Sequence, residues 1–383
     1  MDYELMHKNR PVALLDINDA GYILGIKTVS HIEHMPPGTV YEDEANLEGL
    51  RKWWRGRSIP ATRTGIRRFL DSLHITDSET LLTKSLGLSL SDQYWIRNDP
   101  ATRWEDVNFF RNPFSPDIGN ILFGARISGE LDMSSPDNTS DGVMRKRWAI
   151  IDGERCLIKS CIEMAMQEPF NEVIASMLME SQGMLHTEYR LEWVEGYPCS
   201  VCRDFVTEDV ELVTAARVVD AFVSTVCGSH RDEYARICRE LGVDLQLEQM
   251  DLIDAVMMNT DRHLGNYGLI RDADTLEYLG PAPIYDTGTS LMCRSPTENI
   301  VRAVPSMAEG IMKDERVAGK DLGWVDIDAM RGTLPRIEEL LRSGAARLEG
   351  RGLSRMRADA LVSVLEKRMD GLEDLIRSSC PRR

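Results

Sequence analysis

Between Asn259 and Leu291 the chain reads N-T-D-R-H-L-G-N-Y-G-L-I, passes through an intervening segment, and returns with P-I-Y-D-T-G-T-S-L. No other stretch constrains the fold as strongly. Asp261, His263 and Asn266 lie within six residues of one another, and a second carboxylate, Asp286, follows what reads as a β-hairpin. Two carboxylates and an amide oxygen at such turns are the hard oxygen donors of a Mg²⁺–nucleotide site, with a base beside an attacking hydroxyl. A phosphotransferase is the working hypothesis, against which the remaining elements are read.

The upstream elements bear on it directly. In R-K-R-W-A-I-I-D-G-E-R-C-L-I-K-S, Asp152-Gly153 between two apolar runs signals a hairpin. Lys159 shares a face of its second strand with Leu157; such a lysine either snorkels at a strand end or serves as the cation on the α/β-phosphates. Glu168-Pro169-Phe170-Asn171-Glu172 then opens a helix, with Pro169 suited to the first turn. Phe170, Val173, Ile174, Met177 and Leu178 make its buried stripe, and Glu172 sits beside that stripe in position to pair with Lys159. A short helix, Asp251 to Met258, delivers the chain to Asp261.

The five-residue interval from Asp261 to Asn266 equals that between the catalytic Asp and the metal-binding Asn in the kinase pattern H-R-D-x-x-x-x-N. A tight loop lets the carboxylate orient an acceptor hydroxyl while the amide oxygen, one turn later, reaches the metal. Asp286 in Y-D-T-G takes the place of the D-F-G aspartate, the second hard ligand. Each element is weak alone; in this order, behind a hairpin lysine and a helix glutamate, they gain specificity.

Elsewhere the pattern is mixed α+β. Residues 11–33 predict two strands around an Asn-Asp-Ala-Gly turn, with Gly21 supplying the awkward backbone angle. Helical spacing runs from Glu42 to about Gly87 through Leu47, Leu50, Trp53, Trp54, Ile66, Phe69, Leu70 and Leu73, with the tryptophan pair expected in the core. Residues 88–120 read as an ordered connector, since Tyr94, Trp95, Trp104, Phe109, Phe110 and Phe114 have to be buried. Strands are expected over Thr187–Val194 and Pro198–Phe205, helices over about Leu212–Leu241, irregular structure over 291–320, and two closing helices.

Composition narrows the function classes. A net charge of −17 argues against direct nucleic-acid binding. The basic cluster Arg51, Lys52, Arg55, Arg57, Arg63, Arg67 and Arg68 is then expected to be a solvated helix face. There is no signal-like start and no apolar run of about 18 residues, so a cytoplasmic protein without membrane spans is expected, its eight cysteines reduced. Cys199 and Cys202 form the only C-x-x-C and lack a second pair for zinc. His31 and His34 are expected at the surface.

The runs T-D-R-H-L-G-N-Y-G-L-I and P-I-Y-D-T-G-T-S-L resemble the HipA-like serine/threonine kinases of bacterial toxin–antitoxin systems and their stand-alone relatives. The resemblance covers roughly residues 120–380, with the strongest matches at 148–180 and 257–291. It implies a two-lobed protein-kinase-like fold: an N-terminal α/β subdomain over 1–120, an N-lobe over 121–205 and a mostly helical C-lobe over 206–383. It also implies ATP and Mg²⁺ as cofactors. Asp261 would be catalytic, Lys159 would anchor the nucleotide, Asn266 and Asp286 would hold the metal, and Glu172 matches the helix glutamate. His263 either donates a hydrogen bond to the γ-phosphate or braces its loop. Cys202 to Phe205 falls where the inter-lobe hinge should meet the adenine.

The sequence also departs from the common kinase pattern. No G-x-G-x-x-G is present, so the turn-rich segment Ser134–Gly142 has to cover the phosphates with backbone N–H groups, with Lys146 near enough in sequence to help. In the family that loop can carry an autophosphorylated serine, which makes Ser134, Ser135, Thr139 and Ser140 candidates for a self-inhibiting switch. Three functional readings follow: a protein kinase, a kinase acting on a small molecule with the same fold, and a nucleotide-binding regulatory module paired with a small helix-turn-helix antitoxin.

Overall fold

The computed structural model describes residues 1–60, 66, 70, 77–123, 132–139, 144–161, 165–223, 228–243 and 246–379. Arg63, Arg67, Arg68, Phe69, Leu73 and Ser140 lie outside them. The chain divides into two units. One comprises Met1–Ile158, Arg203–Asp244 and Gly268–Ala282; the other comprises Lys159–Cys202, Leu245–Tyr267 and Pro283–Arg383.

The first unit contains, among its described residues, a four-stranded and a three-stranded antiparallel sheet. In one the strands lie in the order Ile23–Val29, Arg10–Ile17, Asp2–His7, Tyr94–Arg97. The Asn18–Gly21 turn joins two of them, with Gly21 at φ +84° and its carbonyl accepting a 2.7 Å hydrogen bond from the Trp54 indole. Trp53 and Trp54, on the helix Leu47–Arg55, pack in that sheet's core with Leu5, Leu15 and Tyr94. The connector aromatics form a second cluster around Trp95, Trp104 and Phe109, with Phe110 and Phe114 against it. The second sheet runs Val210–Thr214, Gly268–Asp272, Tyr278–Pro281.

Two expectations fail here. Residues 210–214 form a strand paired with 268–272, and helix begins only at Ala215. The alternation V-E-L-V-T merges into the helical pattern that follows it, because its partner strand is remote in sequence. His34 is buried, not superficial: its Nδ1 lies 2.9 Å from Nδ1 of His7, and its Nε2 lies 2.6 Å from the Arg10 guanidinium. Three of the basic residues that the structure describes have defined partners. Arg51 donates to the carbonyls of Ile23 and Leu24, Lys52 pairs with Asp220, and Arg57 with Asp92.

The hairpin at Asp152-Gly153 joins Lys146–Ile151 to Glu154–Ser160, and both turn residues have positive φ, +52° and +85°, as a two-residue primed turn requires. The second strand carries the chain into the other unit, which begins at Lys159.

That second unit is mainly helical. It contains Glu168–Ser181, opened by Pro169, then the hairpin Tyr189–Val194 and Tyr197–Arg203, whose last residue already belongs to the first unit. Leu247–Met257, Leu334–Leu348 and the long Arg355–Ser379 supply most of the remaining core. The stretch 291–320, read as irregular, holds helices at Thr297–Ala303 and Met307–Met312. They are single short elements separated by Pro305, so no helical period has room to register. Among the described residues no helix is long and apolar enough to cross a membrane.

Candidate active site

Leu247–Met257 ends in a Schellman turn: Met258 takes φ +54°, its N–H bonds the Ala255 carbonyl, and the Asn259 N–H bonds that of Asp254. A methionine in that conformation is strained. Asp254 lies on the last turn. Its carboxylate accepts from the Asn259 amide at 2.8 Å and takes a two-pronged ion pair from Arg262, at 2.8 and 3.0 Å. The remaining Arg262 nitrogen donates to two backbone carbonyls, Asn266 at 2.8 Å and Tyr285 at 2.6 Å. One guanidinium thus ties the Asn266 loop to the residue just before Asp286. Its side chain is only 6% exposed.

The loop itself is cross-braced. The Asn259 side chain accepts from the Asp261 N–H at 3.0 Å, and the Asn266 amide donates to the Asp261 carbonyl at 2.9 Å. Asp261 is exposed, and no hydrogen bond to its carboxylate is formed among the described residues. His263 Nδ1 accepts from the Gly265 N–H at 3.1 Å, so a neutral ring carries its proton on Nε2. Bracing and donation are therefore compatible: one ring nitrogen fixes the loop and the other is a donor. A Cβ on Gly265 would come 3.0 Å from that ring.

Lys159 is buried, at 5% exposure, among three partners. Its ammonium lies 2.9 Å from Asp286 Oδ1, 3.1 Å from Glu172 Oε1 and 3.3 Å from the Tyr189 hydroxyl. Burial alone would pull its pKa down, but Asp286 and then Glu172 outweigh that and hold it well above the ordinary lysine value, so the charge is permanent. Glu172 is fully buried, and burial pushes its carboxyl up against the opposing pull of Lys159. A Cβ on Gly288 would meet Glu172 Oε1 at 3.2 Å, tighter than an ordinary contact. Asp286 has φ +60° and a side chain about one-third exposed.

The donor set fits a hard divalent cation. Asn266 is buried and spends its amide N–H on Asp261, leaving Oδ1 without a partner among the described residues. Asp286 adds a partly exposed carboxylate. Cys199 and Cys202 are buried thiols, and among the described residues no group of three or more His, Cys, Asp or Glu is arranged to hold a metal ion.

The structure therefore brings Lys159, Glu172 and Asp286 into direct contact and packs Asp261, His263 and Asn266 into one braced loop, all in the second unit. It also adds Asp254, Arg262 and Tyr189, which sequence reasoning passed over. Arg262 sits inside the quoted T-D-R-H, but nothing in the sequence signals that its partner is the aspartate eight residues upstream. Cys202, the penultimate residue of the strand Tyr197–Arg203, is the last residue of that stretch of the second unit, and Asp204 accepts from the Val206 N–H at 3.0 Å. In the segment proposed to cover phosphates, Ser134 is exposed, whereas Ser135 and Thr139 are buried with their hydroxyls engaged by Asp137 and by the Leu88 and Pro136 carbonyls.

No family model matches the chain. CtkA, a serine/threonine-protein kinase of Helicobacter pylori, is 23% identical over 192 residues, which are 45% of this chain and 58% of the kinase. The chain thus spans just under three-fifths of that curated relative's length. Among solved structures, a chain from the Shewanella oneidensis MR-1 toxin–antitoxin complex of HipA, HipB and operator DNA has a TM-score of 0.50 at 13% identity, over 98% of this chain and 99% of that one. The crystal structure of the H. pylori proinflammatory kinase CtkA has a TM-score of 0.42 at 20% identity, over 61% of this chain and 95% of that one. By sequence similarity to CtkA and by a fold shared with the HipA complex along nearly its whole length, this chain resembles the HipA-like serine/threonine kinases.

Proposed function

We propose that this chain is an ATP- and Mg²⁺-dependent serine/threonine protein kinase of the HipA-like type. The observation that carries the reading is Lys159 held between Glu172 and Asp286 while Arg262 ties the loop of Asp261 and Asn266 to the residue before Asp286. Lys159, with its permanent charge, anchors the nucleotide phosphates. Asp261 receives the acceptor hydroxyl's hydrogen bond and takes its proton as that oxygen bonds to the γ-phosphorus, the bond to the β-phosphate oxygen breaks and ADP leaves. His263 offers its Nε2–H to the transferred group. Asn266 and Asp286 would hold Mg²⁺, which when bound neutralises charge on the phosphates. The backbone at Cys202 and the turn after it meet the adenine.

The acceptor is a protein hydroxyl, unidentified, with the chain's own 134–142 segment as one candidate; Ser134 is its most accessible described position. A small helix-turn-helix protein is the proposed partner, since the structural neighbour HipA is found with HipB and operator DNA. The acidic charge of this chain leaves DNA contact to that partner. The test is incorporation of phosphate from labelled ATP. Asp261→Ala and Asp286→Ala should each abolish it, and variants that label as well as the parent would refute the assignment. Labelling of an added small alcohol and never of protein would move the reading to a small-molecule kinase.

A further inference from the structure

The glutamate helix carries a second set of buried polar groups, facing the segment that follows Asp286. Gln167 and Asn171, one turn apart, are both fully buried, and the Gln167 amide donates to Asn171 Oδ1 at 3.0 Å. The Asn171 amide donates to the carbonyls of Gly288 and Ser290, each at 2.8 Å, and Gln167 donates to that of Leu291 at 3.1 Å. Arg357, on the long C-terminal helix and 2% exposed, completes the set. Its Nε donates to Gln167 Oε1 at 2.6 Å. One terminal nitrogen serves Ser295 O and Thr297 Oγ1, at 2.8 and 3.4 Å, and the other serves Met292 O and Cys293 O, at 3.2 and 3.1 Å. All five guanidinium N–H groups therefore have an acceptor, and none of those acceptors is a carboxylate.

A buried charge satisfied only by carbonyl, amide and hydroxyl oxygens is a poor device for stability, because apolar side chains would fill the space at less cost. What such a network does supply is a single path for the backbone it grips. The gripped backbone needs it: Leu291 and Met292 are consecutive non-glycine residues at φ +48° and +54°. The same segment is tied to the catalytic-loop side through Leu291 N–H to Met257 O at 2.7 Å and Thr260 N–H to Thr289 O at 3.2 Å. Asn171 adjoins Glu172 in the chain, and the Gly288 carbonyl it holds lies two residues past Asp286.

We propose that Arg357, Gln167 and Asn171 are positioning residues that fix the path of residues 288–297 and thereby hold Asp286 in register with the Lys159–Glu172 pair for metal binding. The proposal rests on the phosphotransferase reading above. It makes metal affinity depend on an arginine 71 residues downstream of the ligand, on a helix that contributes no ligand.

Gln167→Glu and Arg357→Lys test it against the parent. Gln167→Glu is nearly isosteric and keeps an acceptor for Arg357 but loses both amide donations, so it releases Leu291 without emptying the core. Amide hydrogen exchange, measured without ligand, should accelerate in residues 287–297 and stay at the parental level in Leu247–Met257. Calorimetric titration of Mg²⁺ with ATP present should show weakening of roughly 10- to 100-fold, with a matching fall in kcat and a KM for ATP changed by no more than about twofold. In an Asp286→Asn background Gln167→Glu should add nothing. Parental exchange in 287–297, parental Mg²⁺ affinity in both variants, or full additivity with Asp286→Asn would each overturn the clamp. A parent that binds no Mg²⁺ with ATP would instead defeat the kinase reading, which the titration of the parent shows by itself.

Discussion

Arg262 and Arg271 stand nine positions apart, one in each unit, and both are buried arginines paired with buried carboxylates. Their surroundings differ. Arg271 pairs with Glu211 and donates to the Tyr94 hydroxyl at 3.0 Å; Glu211 lies 3.6 Å from His7, whose ring stacks on Tyr94. That set closes on itself inside the core. Arg262 satisfies Asp254 with two nitrogens and spends the third on the carbonyls of Asn266 and Tyr285, the first a proposed metal ligand and the second next to one. The same kind of ion pair therefore serves the fold in one unit and the proposed site in the other, and what separates them is where the spare donors go.

Removing each arginine breaks the comparison most severely. Arg262→Met and Arg271→Met should both cost about 3–5 kcal/mol, because each strands a buried carboxylate. Denaturant titration checks that equality. Phosphate transfer per folded molecule should then separate them: a site displaced by ~1 Å loses about 100-fold, which is expected for Arg262→Met and not for Arg271→Met. Equal activity losses would mean that the spare donors of Arg262 carry no functional load.

The difference between these arginines was not legible in the sequence. Turn chemistry announced the Asp152-Gly153 hairpin, and the five-residue interval announced the loop of Asp261 and Asn266, because both depend on local geometry. The pairing of Lys159 with Glu172 followed from placing a strand end against the first turns of a helix. Arg262 depends on a Schellman turn at Met258, a residue with no propensity for it, so nothing marked Asp254 as its partner. Arg271 depends on pairing strand 210–214 with 268–272, a long-range choice that local periodicity misread as helix. Arg357 and Gln167, 190 residues apart, lay beyond any pattern within one element.

Acid should reach the two units differently. Because Arg10 can only donate to His34 Nε2, the ring's proton sits on Nδ1 and points to His7 Nδ1, which places the His7 proton on Nε2, facing Glu211. Burial first, then the neighbouring His7 and Arg10, lower the His34 pKa from 6.5 to about 4. The unfolded chain therefore binds the extra proton between those values. The stabilisation is complete above pH 6.5 and is lost as the pH falls towards 4, with a limiting slope of about 1.4 kcal/mol per pH unit. Lys159, shifted upward, keeps its charge throughout this window. Unfolding midpoints should fall more steeply with acid in the parent than in His34→Gln. Parallel pH profiles would show that the buried histidine pair is not the acid-sensitive element of its unit.

The mildest perturbation is the most selective. A Cβ on Gly265 would lie 3.0 Å from the His263 ring, close enough that the ring has to yield by a few tenths of an ångström, and the ring is exposed and free to do so. Gly265→Ala should then cost little stability yet tilt the Nε2–H away from its line, lowering kcat by roughly three- to tenfold, well short of the ~100-fold expected of a full 1 Å displacement. Gly25, on an edge strand of the other unit, has nothing within 4 Å of the point a Cβ would occupy, so Gly25→Ala should leave kcat alone and raise stability by about 0.5–1 kcal/mol. If His263 only braces the loop through Nδ1, restoring that contact by the ring's movement would leave Gly265→Ala fully active. A loss confined to kcat assigns the exposed nitrogen to the transferred phosphoryl, and makes the loop that Arg262 holds part of the chemistry as well as its support.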